Sequence, residues 1–395
     1  MNKFDFDTPV DRRHTGSLKW DVSDNELPMW VADMDFPTAP AVRQAIEKRA
    51  AHGIFGYSIL PDTWERAYID WWKERHGVTY EKGSFIFCTG VIPAISSLVR
   101  KLTTPAEKVV VLTPVYNIFF NSILNNGRVV SECPLVFDPE NLTYALDFGA
   151  LERSLADSQA TLLILCNPQN PVGKIWDRET LAKIGALCVK YGVTVISDEI
   201  HCDLTDPGKE YVPFASVSEE CRKISITCLA PTKAFNLAGI QTAAVTVSDT
   251  FLRHKVWRAL NTDEVAEPNA FAVEAAAAAF TQGGAWLDEL RAYLAANKAF
   301  AAEYIEKNIP ALRAVYPEAT YLMWLRCTGK AAGHSHEAAA FIRRTTGLYL
   351  TAGGVYRGDG QNFFRLNVAC PRVTLADGLS RLKAGMERYE SKESK

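Results

Sequence analysis

Short runs of β-branched and aliphatic residues alternate with amphipathic segments through the first two thirds of the chain. The runs that we expect to be strands are residues 85–88, 109–112, 129–133, 162–166, 193–197, 224–228 and 243–247. Helical periodicity follows most of them, as at residues 92–102, 118–125 and 178–191. Strands that alternate with helices pair in parallel, because each helix returns the chain to the same end of the sheet. The pattern predicts an α/β fold with a doubly wound, mostly parallel sheet.

Near residue 248 this alternation stops. Helical patterns continue to about residue 307, and strands at 312–316, 321–326 and 363–368 then alternate with a helix at 335–346 and a final helix. This mixed order predicts a smaller α+β domain. We therefore expect a large domain at 46–280 and a small one at 281–395. Residues 1–45 fit neither pattern and are expected to join the small domain or a dimer partner.

Length, charge and cysteine content narrow the class of protein. A chain of 395 residues favours two domains, and a net charge of −3 without a long basic run argues against nucleic acid or an anionic membrane as a partner. The N-terminus does not resemble a signal peptide, and no apolar stretch is long enough to span a bilayer. The nine cysteines form no Cys-x-x-Cys pair, so we expect buried free thiols, no metal site and a cytoplasmic protein.

Glycine and asparagine residues follow two of the predicted strands, at the edge where parallel sheets bind ligands. Thr89-Gly90-Val91-Ile92 opens a helix, and a glycine at this turn lets the backbone amides approach a phosphate. Asn167-Pro168-Gln169-Asn170-Pro171 contains two Asn-Pro pairs, which favour a rigid extended turn. Each pattern also occurs in ordinary loops, so neither identifies a site alone.

A carboxylate and an amine follow two further strands. Asp198 would lie at the end of a buried strand, where a negative charge is costly unless a cation or hydrogen bonds compensate it. Lys233 lies among apolar residues, and burial there would lower the pKa of its amine and make it a nucleophile. A capping aspartate and a surface lysine are the ordinary alternatives.

Together, the four segments match the requirements of one ligand, pyridoxal 5′-phosphate (PLP). The lysine can form a Schiff base with the aldehyde, and the glycine turn can receive the phosphate. The carboxylate can pair with the ring nitrogen and keep it protonated, which makes the ring a better electron sink. The asparagine amide can bond to the phenolic oxygen. The sequence therefore predicts a PLP enzyme whose cofactor is carried by Lys233.

Four motifs occur in order along the chain. They are Asn-Pro-Gln-Asn-Pro-Val-Gly at 167–173, Ser-Asp-Glu-Ile-His at 197–201, Thr-Lys-Ala-Phe-Asn-Leu-Ala-Gly at 232–239 and Phe-Arg-Leu-Asn at 364–367. The set resembles fold-type I PLP enzymes of the class I/II aminotransferase superfamily. Residues 27–36, 55–57, 90–93 and 364–372 are in addition similar to the MalY/PatB-like branch, the cystathionine β-lyase-type C–S lyases.

The resemblance implies how the cofactor is held. Lys233 matches the lysine that carries PLP and acts in catalysis, Asp198 the partner of the ring nitrogen, and Asn170 the partner of the phenolic oxygen. The remaining matched cofactor-binding residues are Gly90, Val91, Ile92 and Thr232 around the phosphate and His201 near the phenolic oxygen. His201 stands where tyrosine is common, and a purely structural, neutral histidine is the alternative.

The resemblance also implies catalytic and substrate-binding roles. Tyr116 matches a catalytic aromatic residue that stacks on the cofactor ring. Tyr57 matches a tyrosine that reaches the phosphate of the neighbouring subunit and contributes to catalysis and substrate binding, which implies a homodimer with sites at its interface. Arg365 matches the clamp for the substrate α-carboxylate, a task suited to a planar guanidinium. Asp33 is assigned to substrate binding.

The sequence therefore predicts a PLP-dependent C–S β-lyase. The reaction is α,β-elimination on L-cystathionine or related cysteine S-conjugates, giving pyruvate, ammonia and a thiol. An aminotransferase is the main alternative, because the same lysine serves both reactions. A binding protein on a retained PLP fold is a third, although Lys233, Asp198 and Arg365 are all present. Ala230 and Gln241 depart from phosphate-binding residues that are common in the superfamily.

Overall fold

The structure is a computed structural model that describes residues 3–392. Its α-helices are α1 (Pro40–His52), α2 (Asp62–His76), α3 (Val91–Leu102), α4 (Ile118–Leu124), α5 (Phe148–Leu155), α6 (Arg178–Tyr191), α7 (Glu219–Ile224), α8 (Thr250–Thr262), α9 (Ala272–Gln282), α10 (Gly284–Asn308), α11 (Ser335–Thr346) and α12 (Arg372–Glu390).

Capping residues determine where some of these helices begin and end. The side chain of Asp177 caps α6 by accepting a hydrogen bond from the N–H of Thr180 at 2.7 Å. Gly192, with a φ of 68°, ends the same helix in the left-handed conformation.

The strands in the same range are β1 (Leu27–Pro28), β2 (Phe85–Cys88), β3 (Lys108–Thr113), β4 (Val129–Pro134), β5 (Val136–Asp138), β6 (Thr143–Ala145), β7 (Ala160–Cys166), β8 (Thr194–Asp198), β9 (Ser225–Leu229), β10 (Ala243–Thr246), β11 (Leu312–Val315), β12 (Leu322–Cys327), β13 (Leu348–Tyr349), β14 (Thr351–Ala352) and β15 (Phe363–Asn367). Seven of them form the central sheet in the order β2-β10-β9-β8-β7-β3-β4. Strand β10 is antiparallel to both neighbours, and the other pairs are parallel.

Both faces of the central sheet are buried. Along β3, Val109 and Val111 belong to one apolar cluster, and Val110 and Leu112 belong to another. Alternate residues of a strand point to opposite faces, so helices and loops must cover both sides of this sheet. This arrangement confirms the predicted doubly wound, mostly parallel α/β fold.

A second, four-stranded sheet lies in the C-terminal part and runs β11-β12-β15-β14, with every pair antiparallel. Strand β1 pairs in parallel with β13, so that Leu27 lies opposite Leu348. The N-terminal segment is thereby attached to the C-terminal part of the chain. The boundaries at residues 45 and 280 stay predictions.

All nine cysteines lie within the described residues and are buried as free thiols. Among those residues, no helix combines the length and the apolar character that a bilayer crossing requires. The β5–β6 hairpin, α5 and α7 were not predicted from the sequence, because each is short and lies in a connection between longer elements.

Candidate active site

A cavity of about 280 Å³ lies at the carboxyl edge of the central sheet. It is reached by residues that follow β2, β7, β8 and β9, as expected where parallel strands end together. Nine residues predicted from the sequence line it, namely Gly90, Val91, Ile92, Tyr116, Asn170, Asp198, His201, Thr232 and Lys233. The structure therefore gathers into one cavity groups that lie up to 143 positions apart in the sequence (90 to 233).

One end of the cavity is formed by the start of α3. Gly90 is the N-cap of this helix, and Val91 and Ile92 are in its first turn, where backbone N–H groups lack partners within the helix. A Cβ atom at Gly90 would lie 3.2 Å from Cδ of Pro93, so a larger residue would crowd the turn. Thr232 also lines the cavity, and its hydroxyl donates a hydrogen bond to the Thr242 carbonyl at 3.2 Å. This end can receive an anion of phosphate size.

Asp198 ends β8 and is buried. Its carboxylate accepts a hydrogen bond from the N–H of Ile200 at 3.2 Å. Burial raises the pKa of Asp198 to about 7, and the neighbouring Glu199 acts in the same direction, whereas the Ile200 N–H and Lys233 oppose the shift. A cation in the cavity would compensate this carboxylate.

Lys233 follows β9 and projects its amine towards the N-terminal segment. Its Nζ donates a hydrogen bond to the carbonyl oxygen of Ala32 at 2.6 Å. Burial, together with the positive charge of Arg365, lowers the pKa of this amine to about 8, while Asp33 and Asp198 oppose the shift. A substantial neutral fraction therefore exists near physiological pH, as a nucleophile or base requires.

Arg365 lies on β15 and is buried; it is not among the residues that line the cavity, but it contacts Asn170, which is. Its Nη1 donates to Oδ1 of Asn170 at 3.3 Å, and its Nη2 donates to the Trp30 carbonyl at 3.0 Å. The guanidinium carbon also lies 5.0 Å from the centre of the Tyr356 ring. The four-stranded sheet thus contributes the guanidinium of Arg365 to a site that is built mainly by the central sheet.

Two further predicted residues add neutral groups to the cavity. Burial raises the pKa of Tyr116 to about 12, so its hydroxyl keeps its proton. Burial lowers the pKa of His201 to about 3, with Lys233 and Arg365 acting in the same direction, so the imidazole is neutral. Its Nδ1 is buried without a hydrogen-bond partner among the described residues. A polar ligand atom would satisfy it.

Asp33 and Tyr57 lie outside this cavity in the described chain. The Asp33 carboxylate forms an ion pair with Arg12 at 2.9 Å and lies 3.7 Å from the amine of Lys19. Tyr57 is fully exposed and lines a neighbouring cavity that shares Thr89 and Gln241 with the first. The role predicted for Tyr57 is in the neighbouring subunit's site, and Asp33 lies near enough to Lys233 to affect the pKa of its amine. The roles assigned to both residues stay predictions.

Sequence reasoning missed two contributions to the site. The carbonyl of Ala32 accepts the Lys233 hydrogen bond, and the hydroxyl of Tyr321 donates to the same oxygen at 2.9 Å. Ala32 was part of a recognised segment, but a backbone oxygen has no sequence signature. Tyr321 precedes β12, and no local motif marks it.

A separate group of possible metal ligands lies outside the cavity. Ligand atoms of His76, Cys202 and Asp203 lie within 4.8 Å of one another. Nε2 of His76 is 2.8 Å from Oδ1 of Asp203, and Trp71 donates to the same oxygen at 3.0 Å. These contacts form a histidine–aspartate pair with an added indole hydrogen bond.

A doubly wound sheet with a lysine, a buried carboxylate and a helix N-terminus around one cavity defines a class of enzymes that hold a phosphorylated aldehyde through the lysine. Comparison with known proteins gives the family. The sequence model of the family described as aminotransferase class I and II matches residues 25–382, and the chain belongs to this family.

Relatives and solved structures agree with this placement. The chain is 40% identical to cystathionine beta-lyase PatB of Bacillus subtilis over 96% of this chain and 99% of that protein. It is 33% identical to protein MalY of Escherichia coli over 96% and 98% of the two chains. Its fold matches the crystal structure of cystalysin from Treponema denticola, which contains a pyridoxal 5′-phosphate cofactor, with a TM-score of 0.93, 30% identity and coverage of 98% and 99%.

The cavity residues fit pyridoxal 5′-phosphate. The start of α3 and Thr232 would hold the phosphate, and Asp198 would pair with the ring nitrogen. Lys233 would bond the aldehyde carbon, and the unpartnered His201 lies among the cavity-lining side chains. The buried Asp198 is the strongest support, because its raised pKa marks a carboxylate that gains from a cationic partner.

Proposed function

We propose that the protein is a PLP-dependent C–S β-lyase that acts on L-cystathionine or related cysteine S-conjugates. The substrate's C–S bond breaks, one water molecule is consumed, and the products are a thiol, pyruvate and ammonia. The observation that carries this proposal is that the Lys233 amine lines a cavity with Asn170, and that the Arg365 guanidinium donates a hydrogen bond to Asn170. Similarity to PatB over nearly the whole chain favours the lyase reaction over other reactions of the family.

When bound, the cofactor supplies an electron sink for the electron pair left at the substrate's Cα. Lys233 supplies the base, since a pKa of about 8 leaves part of the amine free to take the Cα proton at Nζ. The Ala32 carbonyl holds that amine by a hydrogen bond when it is free. Asp198 keeps a negative charge beside the ring position, and Tyr116 presents a protonated hydroxyl.

Arg365 binds the substrate carboxylate in this proposal, and Asn170 keeps its predicted place beside the phenolic oxygen. The 3.3 Å hydrogen bond between them fixes both side chains at the cavity edge. A guanidinium can donate two parallel hydrogen bonds to a carboxylate, which orients the substrate as well as holding it. The Trp30 carbonyl accepts from the same guanidinium and restrains it further.

An assay without any keto acid separates the lyase from an aminotransferase. We expect the purified protein, loaded with PLP and given L-cystathionine alone, to release thiol, pyruvate and ammonia in equal amounts. An aminotransferase would need a keto acid to turn over repeatedly, because its amino group must leave on an acceptor. Amino transfer that depends on a keto acid, without thiol release, would contradict the lyase proposal.

Replacing Arg365 with alanine should lower kcat/KM by about a hundredfold, mainly through a higher KM. The expected loss corresponds to about 3 kcal/mol, the contribution of two hydrogen bonds to a charged group. Arg365→Lys should recover only part of it, because an ammonium cannot reproduce the planar pair of donors. Arg326→Ala is the matched control, since Arg326 lies on adjacent β12 and packs over Phe137. Equal kcat/KM in Arg365→Ala and wild type would remove Arg365 from substrate binding.

We also propose that two copies of the chain form a dimer through the segment between α1 and α2. Ile54, Phe55, Tyr57 and Ile59 are all exposed there, and contiguous exposed apolar groups are typical of interfaces. The cavity that Tyr57 lines shares Thr89 and Gln241 with the Lys233 cavity of the same chain, so this segment lies beside a phosphate end. In the proposed dimer the exposed side chain of Tyr57 extends across the interface to the phosphate end of the other subunit, as the resemblance implies.

Mixing two inactive variants tests this arrangement. We expect Tyr57→Ala and Lys233→Ala each to be impaired alone. When they are unfolded and refolded together in equal amounts, about a quarter of the wild-type activity should return, because half of the dimers are hybrids with one complete site. If Tyr57 served its own subunit, no hybrid site would be complete and no activity would return.

The compartment is a further proposal. Nine buried free thiols suit a reducing environment, which favours the cytoplasm.

The predicted large domain at 46–280 and small domain at 281–395 are also proposed as the two folding units, with the segment 1–45 attached to the small domain through β1.

A further inference from the structure

Residues 30–36, which we call the strap, contact both groups at the centre of the proposed reaction. The carbonyl of Ala32 accepts hydrogen bonds from Nζ of Lys233 at 2.6 Å and from the hydroxyl of Tyr321 at 2.9 Å. The carbonyl of Trp30 accepts from Nη2 of Arg365 at 3.0 Å. The position of the strap backbone therefore decides what the amine and the guanidinium touch.

Asn236, in the turn that follows β9 of the central sheet, forms hydrogen bonds with the C-terminal end of the strap. It lies three residues after Lys233, and its Oδ1 accepts from the N–H of Met34 at 3.0 Å. Its Nδ2 donates to the carbonyls of Met34 at 2.9 Å and Phe36 at 3.0 Å. Asn236 has a φ of 56°, a left-handed conformation that asparagine tolerates better than most residues.

Asn367 holds the middle of the strap from the second sheet. It is buried on β15, two residues after Arg365, so both side chains point to the same face of that sheet. Its Nδ2 donates to the carbonyls of Val31 at 2.6 Å and Asp33 at 2.7 Å. These oxygens lie on either side of Ala32, so the pair of hydrogen bonds fixes the direction in which the Ala32 carbonyl points.

We propose that Asn236 and Asn367 are positioning residues that hold the strap so that the Ala32 carbonyl receives the amine of Lys233. This inference rests on the proposed role of Lys233 and assigns a task to two motif asparagines that the reaction itself does not use. Because the two asparagines fix the strap, the Ala32 carbonyl offers the free amine of Lys233 a hydrogen-bond acceptor in one position. This acceptor favours the protonated form of the amine, since it stabilises an ammonium.

The test compares three variants. Asn236→Gly removes the amide and keeps the left-handed backbone, which alanine would strain. Asn367→Ala removes the two hydrogen bonds beside Ala32. The matched control is Asn126→Ala, because the half-buried Asn126 also donates to two backbone carbonyls, of Ser96 and Ser122, and neither residue contacts the strap.

The first readout is acetylation of Lys233 by acetic anhydride across pH in the full-length chain freed of cofactor, followed by peptide mass spectrometry. We expect Lys233 to react about threefold faster than wild type at pH 7 in Asn236→Gly and Asn367→Ala, since the amine loses its acceptor and its pKa falls. Asn126→Ala should react at the wild-type rate. Wild-type rates in both strap variants, or an equal increase in Asn126→Ala, would overturn the proposal.

The second readout is steady-state kinetics of the PLP-loaded enzyme. We expect kcat to fall about tenfold in each strap variant, and the double variant to lose less than the product of the two effects, because both residues hold one strap. Multiplicative losses would show two independent effects and contradict a common clamp. Acetylation needs neither cofactor nor substrate, so absence of lyase activity in the wild type would overturn the proposed function and not this assignment.

Discussion

Lys233→Ala should lower kcat for L-cystathionine by about ten-thousandfold or more, because it removes the group that takes the Cα proton. The amine is well suited to that task, since its pKa is lowered to about 8 while a carbonyl 2.6 Å away holds it in place. The measurement is initial-rate thiol release by variant and wild type at equal PLP occupancy.

Two comparisons make the Lys233 result specific. A small primary amine such as ethylamine should restore part of the activity of Lys233→Ala, because it can enter the space left by the side chain and act as the base. Lys82→Ala should behave as wild type, since Lys82 is exposed and pairs with Asp62 at 2.8 Å. A Lys233→Ala variant that turns over at the wild-type rate would contradict the assignment.

Asp198→Asn should weaken PLP binding or catalysis by about a thousandfold at pH 8. The substitution keeps the shape but removes the charge, and loss of one partner of a buried ion pair costs about 3–5 kcal/mol. Asp198 is buried, and its environment offers a hydrogen bond from Ile200 as partial compensation. The dissociation constant of PLP and kcat/KM are the quantities to measure.

The effect of Asp198→Asn on PLP binding should depend on pH, and the pKa of Asp198 sets the direction of that dependence. Asp198 has a pKa of about 7 without a ligand, and a cationic partner lowers it. The advantage of aspartate over asparagine is therefore complete above about pH 7 and is lost as the pH falls further, because the carboxyl must give up a proton to pair. The ratio of the two dissociation constants should shrink by up to about tenfold for each pH unit below 7. A ratio independent of pH would contradict the pairing.

Much of the fold follows from local pattern. The predicted bounds of α6 and α11 match the structure because each helix has a helical pattern and a clear end, such as Gly192 after α6. The bounds of β2 match because it is an uninterrupted apolar run. The pairing of β1 with β13 joins Leu27 to Leu348, and no local pattern specifies a contact across that separation. Short elements such as β5 and β6 were missed for a different reason, since three residues carry too little periodicity.

The same distinction between local pattern and long-range contact applies to the residues of the site. Asp198 and Lys233 could be predicted because they follow strands whose ends converge at one edge. The Ala32 carbonyl and Tyr321 could not, because their place depends on how the strap passes between the two sheets. The assignment of Asp33 to substrate binding stays a prediction; the ion pair of its carboxylate with Arg12 could not be predicted, because no motif marks Arg12.

The central claim is that Lys233 carries the cofactor in a cavity that Asp198 also lines. Reducing the PLP-loaded protein with borohydride and mapping the modified peptide by mass spectrometry tests it most directly. We predict that the visible absorption band disappears and that the pyridoxyl phosphate mass is found on Lys233. Modification of another lysine, or release of unmodified cofactor after reduction, would contradict the account.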